Sequence, residues 1–237
     1  MHISFIIPAY NEAALIGPTI DAINSAIIAA GDAIAAHEII VVNDASTDDT
    51  ANIARERGVT VLDVEKRQIA AVRNAGAKVA KGDVFIFVDA DTILPAETLL
   101  SALSELRTGA VGGGSDVRMD GDLPLIGRMY LKTFMLIWKP LKYAAGCFVF
   151  CTRNAFETAG GFDEQYFASE EIWLSKALKA QGRFVVLREQ VITSGRKVRM
   201  YPGFQMLGIT LRLLWKGPKG WQQREGQELW YDGKREA

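Results

Sequence analysis

The chain has 237 residues, 49% of them hydrophobic, and a formal net charge of -1. This size and composition predict one α/β domain with a sizeable core, and the near-neutral balance gives no indication of nucleic-acid binding. The charge is unevenly distributed, since residues 1–120 hold 9 basic and 17 acidic side chains, whereas residues 183–237 hold 11 and 5. An acidic half suits a metal site and a basic part suits an anionic substrate or membrane surface, although solvated faces would give the same pattern.

The sequence carries no pattern typical of export or redox chemistry. The N-terminus enters a strand without the basic and apolar regions of a signal peptide, and no uninterrupted apolar run approaches the ~18 residues that span a bilayer. Cys147 and Cys151 match no zinc or redox spacing, so buried thiols in a reducing cytoplasm are expected. We therefore expect a cytoplasmic protein, with contact at the inner face of the membrane left open.

Strand and helix patterns alternate along the first half of the chain. Strands are predicted at 3–8 (ended by Pro8), 38–42, 59–64 and 84–88, with helices at 13–30, after Thr50 and at 68–80. This alternation predicts right-handed crossovers and a mostly parallel central sheet flanked by helices, a Rossmann-like arrangement. Polar residues at the carboxyl ends of neighbouring parallel strands share one rim. These residues are Tyr10, Glu12, Asp44, Asp89 and Asp91.

Two carboxylates, Asp89 and Asp91, directly follow the buried strand at 84–88. They offer hard oxygen ligands for Mg²⁺ or Mn²⁺. Alternatively, they only begin a turn and cap the helix expected near Pro95. The first strand is followed by neither a Gly-x-Gly-x-x-Gly nor a Walker motif, which disfavours dinucleotide oxidoreductases and P-loop hydrolases. A rim of carboxylates, amides and a metal would suit a nucleoside diphosphate.

Four motifs together resemble the nucleotide-sugar half of the family 2 glycosyltransferases. They are Pro8-Ala9-Tyr10-Asn11-Glu12, Val42-Asn43-Asp44-Ala45-Ser46-Thr47-Asp48, Arg73-Asn74-x-Gly76 and Asp89-Ala90-Asp91, in the family's order over about the first 115 residues. The resemblance implies a single GT-A domain and an inverting, hexosyltransferase-type enzyme. Its donor would be a nucleoside diphosphate sugar, with a UDP-sugar favoured, and its cofactor a divalent cation, Mg²⁺ or Mn²⁺.

The resemblance also implies roles for residues around the nucleoside. Pro8, Tyr10 and Glu12 would line the nucleoside pocket, Asp44 would contact the base, and Arg73 would lie near the base and diphosphate. Two structural alternatives are that Asp44 forms an Asx-turn and that Arg73 is a surface residue of a helix.

Two segments are expected on the diphosphate side. By the same resemblance, Asp89 would face the ribose or donor sugar and Asp91 would hold the metal, with Asp89 beside it. Arg196 and Lys197 lie in a segment, 191–199, predicted to be a loop that follows a last strand at 183–187 and closes over a diphosphate. Many family members have a metal-binding His in this region, but this chain has only two His, both early. Diphosphate oxygens and water would complete the metal shell, or the two cations would replace part of its charge.

A later motif resembles the family's acceptor region. Residues 160–163, Gly-Gly-Phe-Asp, precede Ser169-Glu170-Glu171, where the family has a helix that opens with Glu-Asp and supplies the general base. Glu171 stands where Asp is usual. An N-cap Ser169 followed by two acids that favour the helix dipole is the structural alternative. Helical periodicity favours Glu170 as the inward residue, whereas the resemblance favours Glu171, which we take as the base.

The chain is thereby divided into three regions of one compact domain: a nucleotide-sugar-binding half at 1–115, an acceptor-binding and catalytic half at 116–200, and a helical tail at 201–237. Within them, a glycine-rich strand or bend is expected at 110–115 and a strand at 146–152. Segment 123–143 predicts a helix at a membrane interface or, as we prefer, a core or acceptor-lid helix. In the tail, 202–215 predicts an amphipathic helix.

The predicted activity is sugar transfer to an acceptor hydroxyl with inversion, in which Glu171 or Glu170 takes the proton. A polyprenyl phosphate, a lipid and a soluble glycan all fit as acceptors. One rival is a nucleotidyltransferase, which usually carries a glycine-rich basic loop after the first strand. The other is a non-catalytic module that binds a nucleotide sugar or a lipid phosphate. Release of nucleoside diphosphate marks the transferase, and release of pyrophosphate marks the nucleotidyltransferase.

Overall fold

The structure, a computed structural model, describes residues 1–201, 208 and 217–223. The strands are β1 (His2–Ala9), β2 (Ala36–Asp44), β3 (Thr60–Val64), β4 (Val84–Val88), β5 (Thr92–Ile93), β6 (Gly112–Met119), β7 (Phe148–Thr152) and β8 (Phe184–Thr193). The helices are α1 (Ile16–Ala30), α2 (Thr50–Glu56), α3 (Ile69–Val79), α4 (Ala96–Arg107), α5 (Leu125–Trp138), α6 (Arg153–Ala159), α7 (Glu170–Lys179) and α8 (Arg196–Met200), and a helical turn follows at Pro218–Trp221.

In the part of the chain that the structure describes, eight strands form one mixed sheet in the order β3-β2-β1-β4-β7-β6-β8-β5. The four strands of the first half run parallel, as their alternation with helices predicts. β7 lies antiparallel between β4 and β6, β8 is parallel to β6, and β5 is antiparallel to β8, so six of the eight strands point the same way. The sheet curls, because residues 89–91 alone separate β4 from β5, which pairs at the far edge.

The core has one layer on each face of this sheet, and β4 contributes to both. Ile86 and Val88 pack into the cluster that includes α1 and α4. Phe85 and Phe87 pack on the opposite face, in the cluster that includes α3, α6 and α7. Burial on both faces explains why β4 is a continuous apolar run. The rigid layers fix where its carboxyl end, and therefore Asp89, lies.

The prediction for the second half of the sheet was wrong at β8. This strand runs to Thr193, well beyond the predicted end at residue 187, and α8 follows from Arg196. The segment expected to be a loop is thus the end of a strand, a short turn and a helix. Ile192 and Thr193 pair with β5, and Val191 is fully buried. The polar residues at 188–190 hid this continuity, since the pairing with β5 is not a local signal.

Other boundaries differ less from those predicted. β1 continues through Pro8 to Ala9 instead of ending at the proline. β6 extends across residue 115, so the proposed division between the two halves falls inside a continuous strand. Helix α5 lies within the predicted segment 123–143. Most of 202–215, and of the tail as a whole, lies outside the described residues.

Two absences expected from the sequence concern membranes and cysteine chemistry. In the part of the chain that the structure describes, no helix has both the length and the apolar character needed to cross a bilayer. Cys147 and Cys151 are free thiols, and Cys151 is fully buried. Burial raises the pKa of both thiols, which makes them poor nucleophiles.

Candidate active site

The loops after β1 and β2 are joined by hydrogen bonds. Asn11 adopts a left-handed conformation with φ 52°, which asparagine tolerates better than most residues. Its amide donates to Ser46 Oγ at 3.0 Å, and its side-chain oxygen accepts from the Thr47 amide at 2.8 Å. The Glu12 amide donates to Thr50 Oγ1 at 2.7 Å. These bonds hold the two predicted donor motifs side by side at one rim of the sheet.

Asp44, at the end of β2, joins this rim to the loop after β3. Its buried carboxylate accepts from the amides of Lys66 at 2.6 Å and Arg67 at 2.8 Å. It therefore bonds to another loop and does not form the Asx-turn that was the alternative. The Arg67 guanidinium lies 4.4 Å from the centroid of the Tyr10 ring. Tyr10, Asp44 and Arg67 thus form one wall above the buried Pro8.

Arg73, in the middle of α3, is directed into the protein and is 1% exposed. Its Nη2 donates to Asp89 Oδ1 at 2.7 Å and to the Gly146 carbonyl at 2.8 Å, and its Nη1 bonds to Glu170. The alternative of a surface residue is therefore wrong. Burial opposes the charged form, but Asp89 and Glu170 outweigh it and raise the pKa of the guanidinium.

Arg196, the first residue of α8, makes a second charged cluster with Glu12 and Asp91. Its two Nη atoms bond to the two Glu12 oxygens at 2.7 and 2.5 Å, and Nη2 lies 3.0 Å from Asp91 Oδ2. The buried Glu12 side chain is therefore held by Arg196. Burial and the charge of Asp89 raise the pKa of Asp91 to about 6, against the opposing charges of Arg196 and Lys197.

Asp89 and Asp91 do not cap the following helix, contrary to the structural alternative. The N-cap of α4 is Pro95, with no side-chain hydrogen bond at that position. The chemistry of the two carboxylates fits a hard divalent cation that takes its other ligands from diphosphate and water. Among the described residues, however, no group of three or more His, Cys, Asp or Glu side chains could form a metal site. In that part of the chain, Asp89 and Asp91 are thus not joined by a third His, Cys, Asp or Glu ligand.

Glu170 and Glu171 open α7, as predicted, but without a conventional cap. Ser169 has φ 63° and its side chain makes no capping bond, so the capping role proposed for it is wrong. Glu170 is 4% exposed and paired with Arg73, which confirms the periodicity argument that it is the inward residue. Glu171 is half-buried, and both its carboxylate and the Arg73 guanidinium lie next to Gly146. A Cβ atom added at Gly146 would be 3.6 Å from Glu171 Oε2 and 3.6 Å from Arg73 Nη2. Burial and the charge of Glu170 raise the pKa of Glu171 to about 8.

Several residues of this region had no signal in the sequence. Arg67 lies in a link between elements, and its contact with Tyr10 depends on a positive φ of 52°. An aromatic group lies beside the acidic pair: Trp173 stacks on Tyr166 at 4.7 Å, and Trp221 lies 6.4 Å from Trp173. The three aromatic residues come from separate segments of the chain. The only local sequence signal for this group was Trp173, two residues after Glu171.

The model of glycosyl transferase family 2 matches residues 4–158. The chain belongs to glycosyl transferase family 2. The predicted family is thereby confirmed. The match covers the donor motifs and ends before α7, so the acidic pair lies outside it.

Relatives of this family 2 chain include a poly(ribitol-phosphate) beta-glucosyltransferase of Bacillus spizizenii, 35% identical over 107 residues, which cover 42% of this chain and 16% of that protein. S. aureus TarS, residues 1–349, matches with TM-score 0.63 and 18% identity over 90% of this chain and 65% of that one. The mannosyltransferase PcManGT of Pyrobaculum calidifontis, in complex with GDP-Man and Mn²⁺, matches with TM-score 0.66 and 20% identity. That match covers 98% of this chain and 68% of PcManGT. The predicted GT-A fold is confirmed by these structures. The chain spans about a sixth of the curated relative, 65% of TarS residues 1–349 and 40% of the longer TarS chain.

Proposed function

We propose that this chain transfers a sugar, with inversion, from a nucleoside diphosphate sugar to an acceptor hydroxyl. The observation that carries the proposal is the meeting of three groups at one rim. Arg73 connects Asp89 to Glu170 at the start of α7, and Arg196 connects Asp91 to Glu12, which lies in the same loop as Tyr10. A donor-binding surface thus lies next to a candidate base.

The nucleoside is proposed to lie against the wall formed by Tyr10, Asp44 and Arg67. The aromatic ring and guanidinium offer stacking surfaces, and Asp44 retains lone pairs for a base or ribose donor. A UDP-sugar is favoured. S. aureus TarS was crystallised with UDP-GlcNAc, and glucosyl-3-phosphoglycerate synthase from Mycobacterium tuberculosis with UDP and Mn²⁺. PcManGT, in contrast, was crystallised with GDP-Man, so GDP is the alternative to test.

Asp91, with Asp89 beside it, is proposed to hold a divalent cation, Mg²⁺ or Mn²⁺. When bound, the cation would offset negative charge on the departing diphosphate. Arg196 and Lys197 supply positive charge on the same side, because Arg196 already contacts Asp91. The partly buried position of Asp91 limits competition from bulk water, and this strengthens its interaction with a cation.

Glu171 is proposed to accept the proton of the acceptor hydroxyl as that oxygen attacks the anomeric carbon opposite the leaving diphosphate. Its raised pKa, about 8, gives the carboxylate the basicity that such a proton transfer requires. Glu170 is tied to Arg73 and is less accessible, so its role is electrostatic. The charge of Glu170 is one cause of the raised pKa of Glu171.

The acceptor is proposed to be lipid-linked and reached from the cytoplasmic face of a membrane. The start of α5 exposes Leu125, Ile126 and Met129 at 62–65%, which excludes a core role for that part of the helix. Arg128 and Lys132 are exposed on the same turns and would favour anionic headgroups. Co-sedimentation with anionic and neutral vesicles tests this, with Leu125→Ser/Ile126→Ser as the variant. Equal binding of both chains to anionic vesicles would contradict it.

The donor proposal is tested by calorimetric titration with UDP and GDP, each with Mn²⁺ and with EDTA. Metal-dependent binding of one nucleotide is expected, and Asp91→Ala should remove the metal dependence and abolish transfer. Absence of binding under every condition would contradict both the metal site and the transferase function. Products then separate the rivals: nucleoside diphosphate is expected, whereas pyrophosphate would indicate a nucleotidyltransferase.

A further inference from the structure

Among the largest fully buried side chains of the described residues, only Arg73 carries a formal charge. It lies in the interior of α3, between Ala70 and Gly76, and packs 5.2 Å from the centroid of the Phe162 ring. A buried guanidinium is tolerated only when its charge is matched and its N–H groups have acceptors. The identity of those acceptors therefore indicates what the arginine is for.

The acceptors of Arg73 come from three separate segments of the chain. Asp89 follows β4 on the proposed donor side, Glu170 opens α7 on the proposed acceptor side, and Gly146 precedes β7 between them. The amide of Asp89 also donates to the Cys147 carbonyl at 3.1 Å. The segment 146–147 is thus held by both the backbone of the donor turn and the guanidinium. The guanidinium of Arg73 thus connects the donor side of the proposed reaction site to its acceptor side.

We propose that Arg73 is a positioning residue that holds the general-base helix α7 in register with the donor turn at Asp89, and that it does not contact the nucleotide itself. This inference rests on the proposed function and changes the role that resemblance gives to Arg73. The guanidinium fixes Glu170, and Glu171 follows it directly at the start of the same helix. Displacement of α7 would move Glu171 relative to the anomeric carbon, and small displacements of a reacting group are costly.

Arginine suits this role better than lysine would. The bonds to Asp89 and Glu170 leave from different nitrogen atoms of one rigid plane, and the Asp89 nitrogen also serves Gly146. A lysine carries the same charge on a single nitrogen and lacks that plane. Arg73→Lys therefore keeps the buried charge but loosens the connection. Arg153→Lys is the matched control, because Arg153 also stacks on a phenylalanine, Phe85, and bonds to carbonyls away from the site.

The first experiment needs no ligand and compares amide hydrogen exchange in the full chain and both variants. In Arg73→Lys, peptides covering α7 and residues 144–148 should exchange about tenfold faster, while peptides from β1 and β2 remain unchanged. In Arg153→Lys, α7 should exchange as in the unaltered chain. Equal exchange of α7 in the two variants would overturn the proposal. Acceleration spread evenly over all peptides would also overturn it, since that marks a general loss of stability.

The second experiment separates binding from turnover. With UDP and Mn²⁺ as the probe, Arg73→Lys should keep the dissociation constant within about threefold, while turnover of the nucleotide sugar used by the unaltered chain falls about 100-fold at unchanged donor KM. Adding Glu170→Gln to Arg73→Lys should cost less than threefold more, because the two residues act together. Equal losses in binding and turnover would place Arg73 on the donor and overturn the proposal. If the unaltered chain binds no nucleotide, the proposed function fails, and hydrogen exchange alone decides the positioning role.

Discussion

Each carboxylate of the Asp89-Ala90-Asp91 turn is paired with a different arginine, and the two arginine clusters differ in depth. Arg73 bonds to Asp89 and Glu170 and is 1% exposed, whereas Arg196 bonds to Glu12 and Asp91 and is 9% exposed. Both clusters combine one cation with two carboxylates. Asp89 is thereby connected to a fully buried arginine, and Asp91 is connected to an arginine nearer the rim of the sheet.

The surroundings of the two arginines indicate different uses. Arg73 comes from the middle of an 11-residue helix and has a carbonyl and an aromatic ring as additional partners. Arg196 begins a five-residue helix, and its buried Nε has no hydrogen-bond partner in the part of the chain that the structure describes. A buried cation whose two Nη atoms are bonded to three separate segments maintains geometry, whereas one that also has an unpaired Nε can still bond to an anionic ligand.

The largest expected effect is on stability. Arg73→Met should lower the free energy of unfolding by about 3–5 kcal/mol, because it leaves the buried Glu170 and the partly exposed Asp89 without a counter-charge. Arg196→Met should cost about half as much, since Arg196 is itself more exposed than Arg73, 9% against 1%. Urea denaturation of both variants measures the difference. Adding Glu170→Gln should restore part of the loss in Arg73→Met, and equal costs for the two arginines would remove the distinction drawn between the clusters.

The second prediction concerns the two adjacent acids of α7. Glu171→Gln should reduce transfer about 100-fold or more while the affinity for UDP with Mn²⁺ stays unchanged, because a general base acts only in the chemical step. Glu170→Gln is the matched comparison. It should lose more stability than Glu171→Gln, since it removes the negative charge that is paired with Arg73, and it should lose less activity. An active Glu171→Gln enzyme would remove the base assignment.

The sequence predicted the features that depend on neighbouring residues and missed those that depend on residues far apart in the chain. The strands β1 to β4 and the helices between them were predictable because alternation and apolar periodicity are local, whereas the short β5 was not predicted. The acids at 12, 44, 89 and 91 were found by motif. Their partners were not, because Glu12 and Arg196 are 184 positions apart and Arg73 and Glu170 are 97 apart. The end of β8 was missed for the same reason, since it depends on pairing with β5.

The third prediction tests whether Arg196, whose Nε has no hydrogen-bond partner among the described residues, binds the diphosphate. Arg196→Met should weaken binding of UDP with Mn²⁺ about tenfold, equivalent to ~1.4 kcal/mol, because a charge-assisted contact with the diphosphate is lost. Arg199→Met, on the same helix but paired with Asp120, should bind UDP as the unaltered chain does. Calorimetry measures both constants. An unchanged affinity in Arg196→Met would mean that Arg196 only joins Glu12 to Asp91.

The smallest expected effect is a pH dependence of stability that belongs to Glu171. Its pKa is raised from 4.5 to about 8, so between these values the folded chain holds a proton that the unfolded chain releases. The stability contributed by this group is therefore present below about pH 4.5 and is lost as pH rises towards 8. Charged groups that affect it are Glu170 beside it, Arg73 from α3 and Asp89 after β4.

Glu171→Gln should therefore leave Tm unchanged at acidic pH and raise it at alkaline pH. The gain should be absent at pH near 4 and largest at pH near 8.5, with about 2–4 °C for each ~1 kcal/mol in a domain of this size. Differential scanning calorimetry measures it, with Glu97→Gln, an exposed carboxylate in the first turn of α4, as the control that should change neither value. A gain of equal size at both pH values would show that the effect does not come from the titration of Glu171.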